Sequence, residues 1–372
     1  MHALVESLRT SPFFRAAVAA PIVIMFIFSF FTLTAAPDPA HIAKAITLGI
    51  VNLDEGAPML PIKVGDQLVS GLSANAPFAT RALDSEEAGK AALDAGEVSA
   101  LLILPAGFTK AVAERGAVPV PITIVTSQHL SAMESQLGAA IPGQLQLGIN
   151  TALATMAKMF GIQGAPTVQA TVETLHASPS GAASVAPVTA TQAIWLAGFV
   201  GALMLFLATR GAATPASAVA TLRSVLPLAS TLAATLVLAL TVSSVTGDWG
   251  AFLPLWGVAW LGAYAVTLLA MGTFALIGFW AILVILPLAF WQPVLSGAQM
   301  PLAGAADWLR WIGELAPFDA LPAAFRAVLI GGTDHGFLAA AAWAVVAGLA
   351  LIWLGTYAWA MIRPTPSPLA HA

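Results

Sequence analysis

The 372-residue chain contains no cysteine. That excludes disulfides, thiolate catalysis, iron–sulfur clusters and cysteine zinc sites. Charge is scarce as well: Asp, Glu, Lys and Arg make up 9% of residues, against about 25% in an ordinary soluble domain. With 14 basic and 18 acidic residues the net charge is −4, so nothing suggests a basic face for nucleic acid. No GxxxxGK[ST] loop, HExxH, GxSxG or paired metal-ligand spacing occurs. The chain therefore reads as no enzyme of those kinds, with no expected cofactor or metal. The six histidines (His2, His41, His129, His176, His335, His371) are scattered and read as neither catalytic nor metal-binding.

Apolar sequence fills the space that charge leaves. Hydrophobic residues are 59% of the chain and mean hydropathy is +0.87, the signature of a polytopic membrane protein. A spanning helix needs ~20 apolar residues, and six stretches qualify. They are residues 16–36, Ala193 to Thr209, Ser224 to Val245, two within the uncharged run Ala251 to Gly297, and Phe337 to Ile362. The long run is expected to turn near Gly272 and Thr273. The first stretch exceeds the ~7–15 residues of a secretory core and reads as an uncleaved anchor. The leader before it, His2 to Phe14, reads either as a surface helix or as a frayed terminus.

Basic residues of short loops stay in the cytoplasm. Arg9, Arg15, Arg210, Arg223 and Arg363 fall on one side if both termini are cytoplasmic. Residues 37–190, with seven basic and twelve acidic residues, then face outward, as does the mixed segment 298–336. The expected organisation is a first span within 1–36, an extracytoplasmic α/β domain over 37–190, and a five-helix membrane domain over 191–372. The expected location is the cell membrane.

Within 37–190, strands are expected at Ala45 to Leu53, Phe78 to Leu83, Val98 to Leu104 and Val118 to Thr126. Helices are expected at Pro61 to Ala74, at Ser85 to Ala95 with Ser85 as cap, and at Pro105 to Arg115. This alternation makes an open α/β layer. Met133, Leu137, Ile141, Leu145, Ile149, Leu153, Met156 and Phe160 then repeat at steps of three and four, one face of a long helix. That face packs on its own sheet, on a partner or on a second copy. Residues 163–190 are rich in Gly, Pro, Ser, Thr and Ala and read as a linker. Asn52, Asp54 and Gly56 suit a tight turn after a strand.

As drawn, none of the six spans carries Asp, Glu, Lys, Arg or His, which disfavours an ion-coupled relay. Their polar residues, among them Thr231, Thr235, Tyr264, Thr267, Gln292 and Thr356, suit an amphipathic substrate or hydrogen bonds between helices. Pro227, Pro254, Pro287 and Pro293 kink spans for gating or for packing. Pro301 to Arg326 reads as short amphipathic helices with Trp308, Leu309, Trp311, Ile312 and Leu315 toward lipid. Arg326 is expected to pair with Asp319 or Glu314, or to hold a lipid headgroup.

These residues resemble a family. The runs GIVNLDEGA (Gly49 to Ala57), SEEA (Ser85 to Ala88) and GEVSALLILPAGFT (Gly96 to Thr109) look like the extracytoplasmic domain of the phage-infection-protein (YhgE/Pip) family and of related ABC-type exporter permeases. Pro105 and Phe108 belong to that pattern. Ala186, Pro187, Trp195 and Gly201 resemble the start of the family's second span. Ser296, Gly297, Pro301, Ala316, Pro317, Phe318, Arg326, Gly331 and Gly332 resemble the stretch between its last two spans. The aromatic that the family places before the arginine is absent here, and so is the long helical insertion of its larger members.

The resemblance implies a permease-like subunit exporting a hydrophobic or amphipathic molecule. It implies a homodimer or hetero-oligomer and a separate cytoplasmic ATPase, docked at Arg210 to Arg223 and at the N-terminal helix. The missing nucleotide loop requires that ATPase to be another subunit. The alternative is a non-transporting receptor or assembly protein that binds its partner through residues 37–190.

Overall fold

The computed structural model describes residues 45–362 apart from 59–61, 77, 115–117, 160–165 and 211–213. The first expected span, the leader with Arg9 and Arg15, and Arg363 lie outside the described residues.

Five strands form one sheet: β1 (Thr47–Asn52), β2 (Ala79–Leu83), β3 (Ala100–Leu104), β4 (Val120–Ser127) and β5 (Val168–Leu175), in the order β2-β1-β3-β4-β5. β1 runs parallel to β2 and β3, β4 is antiparallel to β3, and β5 is parallel to β4. Both faces of the centre are covered, so β3 is apolar at every position and buried throughout. On one face Leu48, Ile50, Leu102, Leu104, Ile122 and Ile124 meet α1 (Val64–Asn75), α3 (Phe108–Glu114) and α4 (Ala132–Met159). On the other, Val51, Leu101, Ile103 and Val125 meet α2 (Glu86–Asp94), whose N-cap Ser85 accepts from the Ala88 N–H. The stripe of α4 settles its own partner: Ile141, Leu145, Ile149 and Leu153 pack on this sheet.

The expected linker 163–190 is corrected. It carries β5 and the first turns of α5 (Gly181–Thr209). β5 is an edge strand alternating Val168, Ala170 and Val172 with polar residues, a period-2 signal masked by flanking prolines.

Four runs among the described residues are long and apolar enough to cross a membrane: α5, α6 (Ala216–Thr246), Phe252–Leu295 and α11 (Phe337–Ile362). The third run holds α7 (Phe252–Ile277), a 3-10 turn at Gly278–Ala281 and α8 (Ile282–Leu295). The expected break at Gly272 is thus corrected to Gly278. Gly278 sits at φ +65°, a conformation open to glycine, whereas Gly272 lies inside α7 against α11, where a Cβ would come within 2.7 Å of Leu351 Cβ.

Helix directions follow from pairs of contacts. A Cβ on Gly348 would meet Leu268 and one on Gly355 would meet Ala275, so equal seven-residue steps make α7 and α11 parallel. Gly198 abuts Val266 and the Phe206 ring stacks on Phe274 with centroids 5.4 Å apart, which makes α5 parallel to α7 as well. α6 is antiparallel. Trp256, Trp260 and Tyr264 of α7 donate to the carbonyls of Leu232, Leu228 and Ser224 at 3.2 Å each. Between the parallel α7 and α11 the chain must therefore return. The turn plus α8 spans about 29 Å by helical rise, close to the ~30 Å hydrocarbon thickness. After a 3-10 turn at Leu302–Gly304, two short helices follow before α11: α9 (Asp307–Glu314) and α10 (Ala320–Leu329).

Candidate functional site

One end of the helical bundle meets the α/β layer. There α4 starts with a capping box. Ser131 Oγ accepts from the Glu134 N–H, and Glu134 Oε2 accepts from the Ser131 N–H. Glu134 Oε1 also accepts from Ser99 Oγ at 2.8 Å. The next two free N–H groups of the helix, on Ala132 and Met133, donate to the carbonyls of Ala298 and Gln299. Gly297, at φ +64°, makes the turn that presents those carbonyls. Pro301 opens the 3-10 turn that follows, its carbonyl accepting from the Gly304 N–H.

The Gly331–Gly332 pair presses on two histidines of the layer. A Cβ on Gly331 would come within 2.6 Å of His176 Nδ1, and one on Gly332 within 2.4 Å of His129 Cδ2. His176 hydrogen-bonds Asp94 at 2.7 Å, and His335 hydrogen-bonds Asp319 at 2.8 Å. Burial, reinforced by the nearby Arg326 charge, pushes the His129 imidazole down to about 4. The hydrogen bond from His335 holds the Asp319 carboxyl low despite its burial.

Arg326 is only 8% exposed. Among the described residues its guanidinium closes no ion pair and its Nε has no hydrogen-bond partner. The expected pairs are therefore corrected: Asp319 is engaged by His335, and Glu314 by Arg310. Glu134 and Asp319 act on Arg326 only through space. The lipid-facing reading of α9 is corrected in part. Leu309 is buried against Val294, Leu295 and Met300, with Ile312 packed on the same cluster, while Trp308, Trp311 and Leu315 remain exposed. Pro317 lines a small apolar cavity with Phe318, Trp195 and Trp343.

The strand-end motif lies at the opposite end of the strands, after β1. Asp54 is 6% exposed, and its carboxylate accepts from the Gly56, Gly65 and Thr109 N–H groups and from the Thr109 hydroxyl. Asn52 Oδ1 accepts from the Asp54 N–H, and Asn52 Nδ2 donates to Asp66. Burial pushes the Asp54 carboxyl up, but the donors from Thr109, Gly56 and Gly65 outweigh it and the net shift is downward. Asp54 thus ties β1 to the starts of α1 and α3. Pro105 accepts from the Phe108 N–H, and the Phe108 ring is fully buried beside them.

The far end of the bundle holds Arg210 and Arg223, which line a cavity of about 590 Å³ with Phe206, Thr209, Trp280, Thr356 and Trp359. The expected loop-end position of Arg223 is corrected. Pro215 starts α6 early, so Arg223 falls inside it at 6% exposure. Its Nε donates to Thr209 Oγ1 at 2.9 Å, its Nη1 to Thr356 Oγ1 at 3.1 Å, and its guanidinium lies 5.6 Å from the Phe206 ring centroid. A membrane helix therefore does carry a cation. Next to this cavity, a 600 Å³ apolar groove runs between α5, α6 and α7.

The structure brings Asn52, Asp54, Gly56, Pro105 and Phe108 together at the C-terminal ends of β1 and β3. It gathers Gly297, Pro301 and Arg326 near the junction, and leaves Arg210 and Arg223 at the other end. Sequence reading missed Ser131 and Glu134 at the junction, although S-x-x-E before an apolar stripe was a visible cap signal. It also missed Thr209, and it placed Thr356 only among the polar residues of the spans, because no local pattern joins either to Arg223.

The sequence model of the ABC-2 family transporter protein matches residues 13–224, more than half of the chain. The chain belongs to the ABC-2 transporter family. No curated protein and no solved structure matches it. As an ABC-2 transporter protein it is a multi-pass membrane protein and a permease subunit of an exporter. Permeases of this family work with a separate ATPase subunit and are not themselves enzymes. The ABC-2 match takes in the α/β layer, α5 and the start of α6 up to Ser224.

Proposed function

We propose that this ABC-2 permease exports a hydrophobic or amphipathic molecule along the cleft between α5 and α6, driven by a cytoplasmic ATPase. The observation that carries this reading is the 600 Å³ groove. Its lining is apolar apart from hydroxyls, and those of Thr231, Thr235 and Thr267 are satisfied by carbonyls of their own helices. Such a wall offers little to a hydrated ion and much to an alkyl chain.

The finer assignment is to the YhgE/Pip-like permeases, with six spans in a one-plus-five order. The termini lie in the cytoplasm, the α/β layer and 298–336 lie outside, and the chain acts as a homodimer or hetero-oligomer. The ATPase docks on the 210–215 connection and on the N-terminal segment. Because Arg223 is enclosed, the docking contact in this reading falls to Arg210 and its neighbours.

Two measurements test this. Purification from native membranes is expected to bring an ATPase along, and transport is expected to stop on ATP depletion. Transport that survives depletion, with no ATPase present, overturns the reading. The cysteine-free chain also permits topology mapping with an impermeant maleimide. Glu87→Cys and Thr333→Cys, both exposed positions, are expected to label from outside, and Ser217→Cys, exposed near the start of α6, only from inside. The reverse pattern inverts the transport direction proposed here.

A further inference from the structure

We propose that Arg326 is the cation of a two-state latch that opens and closes in the export cycle. It stands unpaired while the α/β layer is fastened to the bundle, and it pairs with Glu134 when the layer lets go. This rests on the exporter reading only for the use made of the motion.

The fastened packing leaves bonds unmade. Arg326 is buried, closes no ion pair among the described residues, and its Nε has no hydrogen-bond partner. Gln292 of α8 is fully buried, and its Oε1 and Nε2 both lack a partner among the described residues. It stands at the base of the same connection. Its carbonyl accepts from the Ser296 N–H, and the adjoining Pro293 carbonyl accepts from the Gln299 N–H. A buried charge or amide without a partner destabilises the packing that holds it. Unusual backbone gathers here too. Among the described residues, the non-glycine residues with positive φ are His176 at +48° and His335 at +49°. His176 lies against Gly331, and His335 hydrogen-bonds Asp319 at the start of α10. Such conformations persist only where the surroundings impose them, and they cluster at switch regions.

The charges select the partner. Glu134 and Asp319 act on Arg326, and Asp94 acts on the neighbouring His129. An incoming anion would meet these acids as well, so an acid of the chain itself is the favoured partner. Asp319 already holds His335, and it moves with Arg326 because it begins the same helix. Glu134 acts on Arg326 more strongly and belongs to the layer. Its distance from Arg326 therefore changes when the layer shifts against the bundle. In the fastened state both of its oxygens are engaged, by Ser99 Oγ and by the N–H and Oγ of Ser131. The adjacent N–H groups of Ala132 and Met133 hold the carbonyls of Ala298 and Gln299. Turning Glu134 to Arg326 exchanges these bonds for one charge-assisted pair, a discrete change of partner. Gly331 and Gly332, at φ +105° and +97°, give the chain freedom just after α10.

Hydrogen exchange of the Ala132 and Met133 amides in the purified full chain reads the latch, because those N–H groups are bonded across the junction only while it is fastened. An arginine that merely supports this packing would, on removal, accelerate their exchange. A latch cation opposes the packing. Arg326→Met is therefore expected to slow exchange of both amides about tenfold. Arg326→Gln, which keeps a polar group, is expected to slow it about threefold. Glu134→Gln preserves the capping box, which glutamine also forms, but removes the ion pair. In that background Arg326→Met is expected to change exchange by less than about threefold. Ala132→Cys with Ala298→Cys, joined by a disulfide, is expected to lower ATP-driven export about tenfold until dithiothreitol is added.

Unchanged or faster exchange in Arg326→Met overturns the proposal. So do equal effects of Arg326→Met with and without Glu134→Gln, or full export by the disulfide-locked chain. If Arg326→Met and Arg326→Gln both fail to fold, the arginine holds this packing together, which overturns it too. ATP-driven export by a chain whose exchange ignores Arg326 removes the latch and leaves the exporter reading standing. Slowed exchange in a chain without ATP-driven export does the reverse.

Discussion

The backbone N–H of Met133 donates to the carbonyl oxygen of Gln299 at 2.9 Å. Residue 133 begins the long helix under the sheet, and residue 299 belongs to the connection after α8. One backbone hydrogen bond, with its Ala132–Ala298 neighbour, thus fastens the α/β layer to the membrane bundle. The helix start would otherwise leave those N–H groups without partners. Glu134→Ala removes half of the capping box and strands the buried Ser99 hydroxyl. The expected loss is about 1–3 kcal/mol. Hydrogen exchange at residues 132–135 is expected to accelerate, and unchanged exchange there would refute the latch.

The same junction is expected to weaken in acid. His129 titrates near 4 when folded, below its ordinary 6.5. As pH falls from 6.5, the unfolded chain takes up the proton first. Stability is therefore complete above 6.5 and is lost as pH falls through about 4, by up to ~3 kcal/mol. The groups facing His129 are Arg326, His176 and His335, which oppose its protonation, and Asp94, which favours it. His129→Gln is expected to flatten the melting temperature profile between pH 6.5 and 4. A variant that keeps the full slope assigns it to other groups.

Asp54→Asn tests the distal hub. The carboxylate serves four donors, and an amide in its place points an N–H₂ at some of them. The expected cost is about 1.5–3 kcal/mol. In the parent protein the folded Asp54 pKa lies below its ordinary 3.8. Its contribution is thus present above about 3.8 and lost as pH falls below it. Thermal unfolding of the two proteins at pH 7 and pH 3 is expected to differ more at pH 7.

The parallel pair α7 and α11 rests on missing side chains. A Cβ on Gly355 would lie 2.5 Å from the Ala275 backbone, whereas Gly257 has open space around it. Gly355→Ala is expected to push the helices apart and cost about 1–3 kcal/mol. Gly257→Ala is expected to be neutral or to stabilise by up to about 1 kcal/mol. Equal melting temperatures for the two variants would show that the close contact carries no weight.

The amino-acid sequence by itself determined the apolar runs and the alternating elements of the α/β layer, because hydropathy and turn chemistry are local properties of the chain. Ser85 as a cap and the buried stripe from Ile141 to Leu153 were legible for that reason. The register of helix against helix was decided only in three dimensions. Arg223 has the local context of a loop residue, but Pro215 opens the helix ahead of it, and its hydroxyl partners lie 14 and 133 positions away. Gly272 looked like a break, yet it is a packing surface, and Gly278 takes the turn. The sheet order, the Ala298 and Gln299 carbonyls that cap α4, and the glycine pair pressed on His129 and His176 all join segments remote in sequence. Such contacts depend on the free energy of the whole packed arrangement, which no short window of residues encodes.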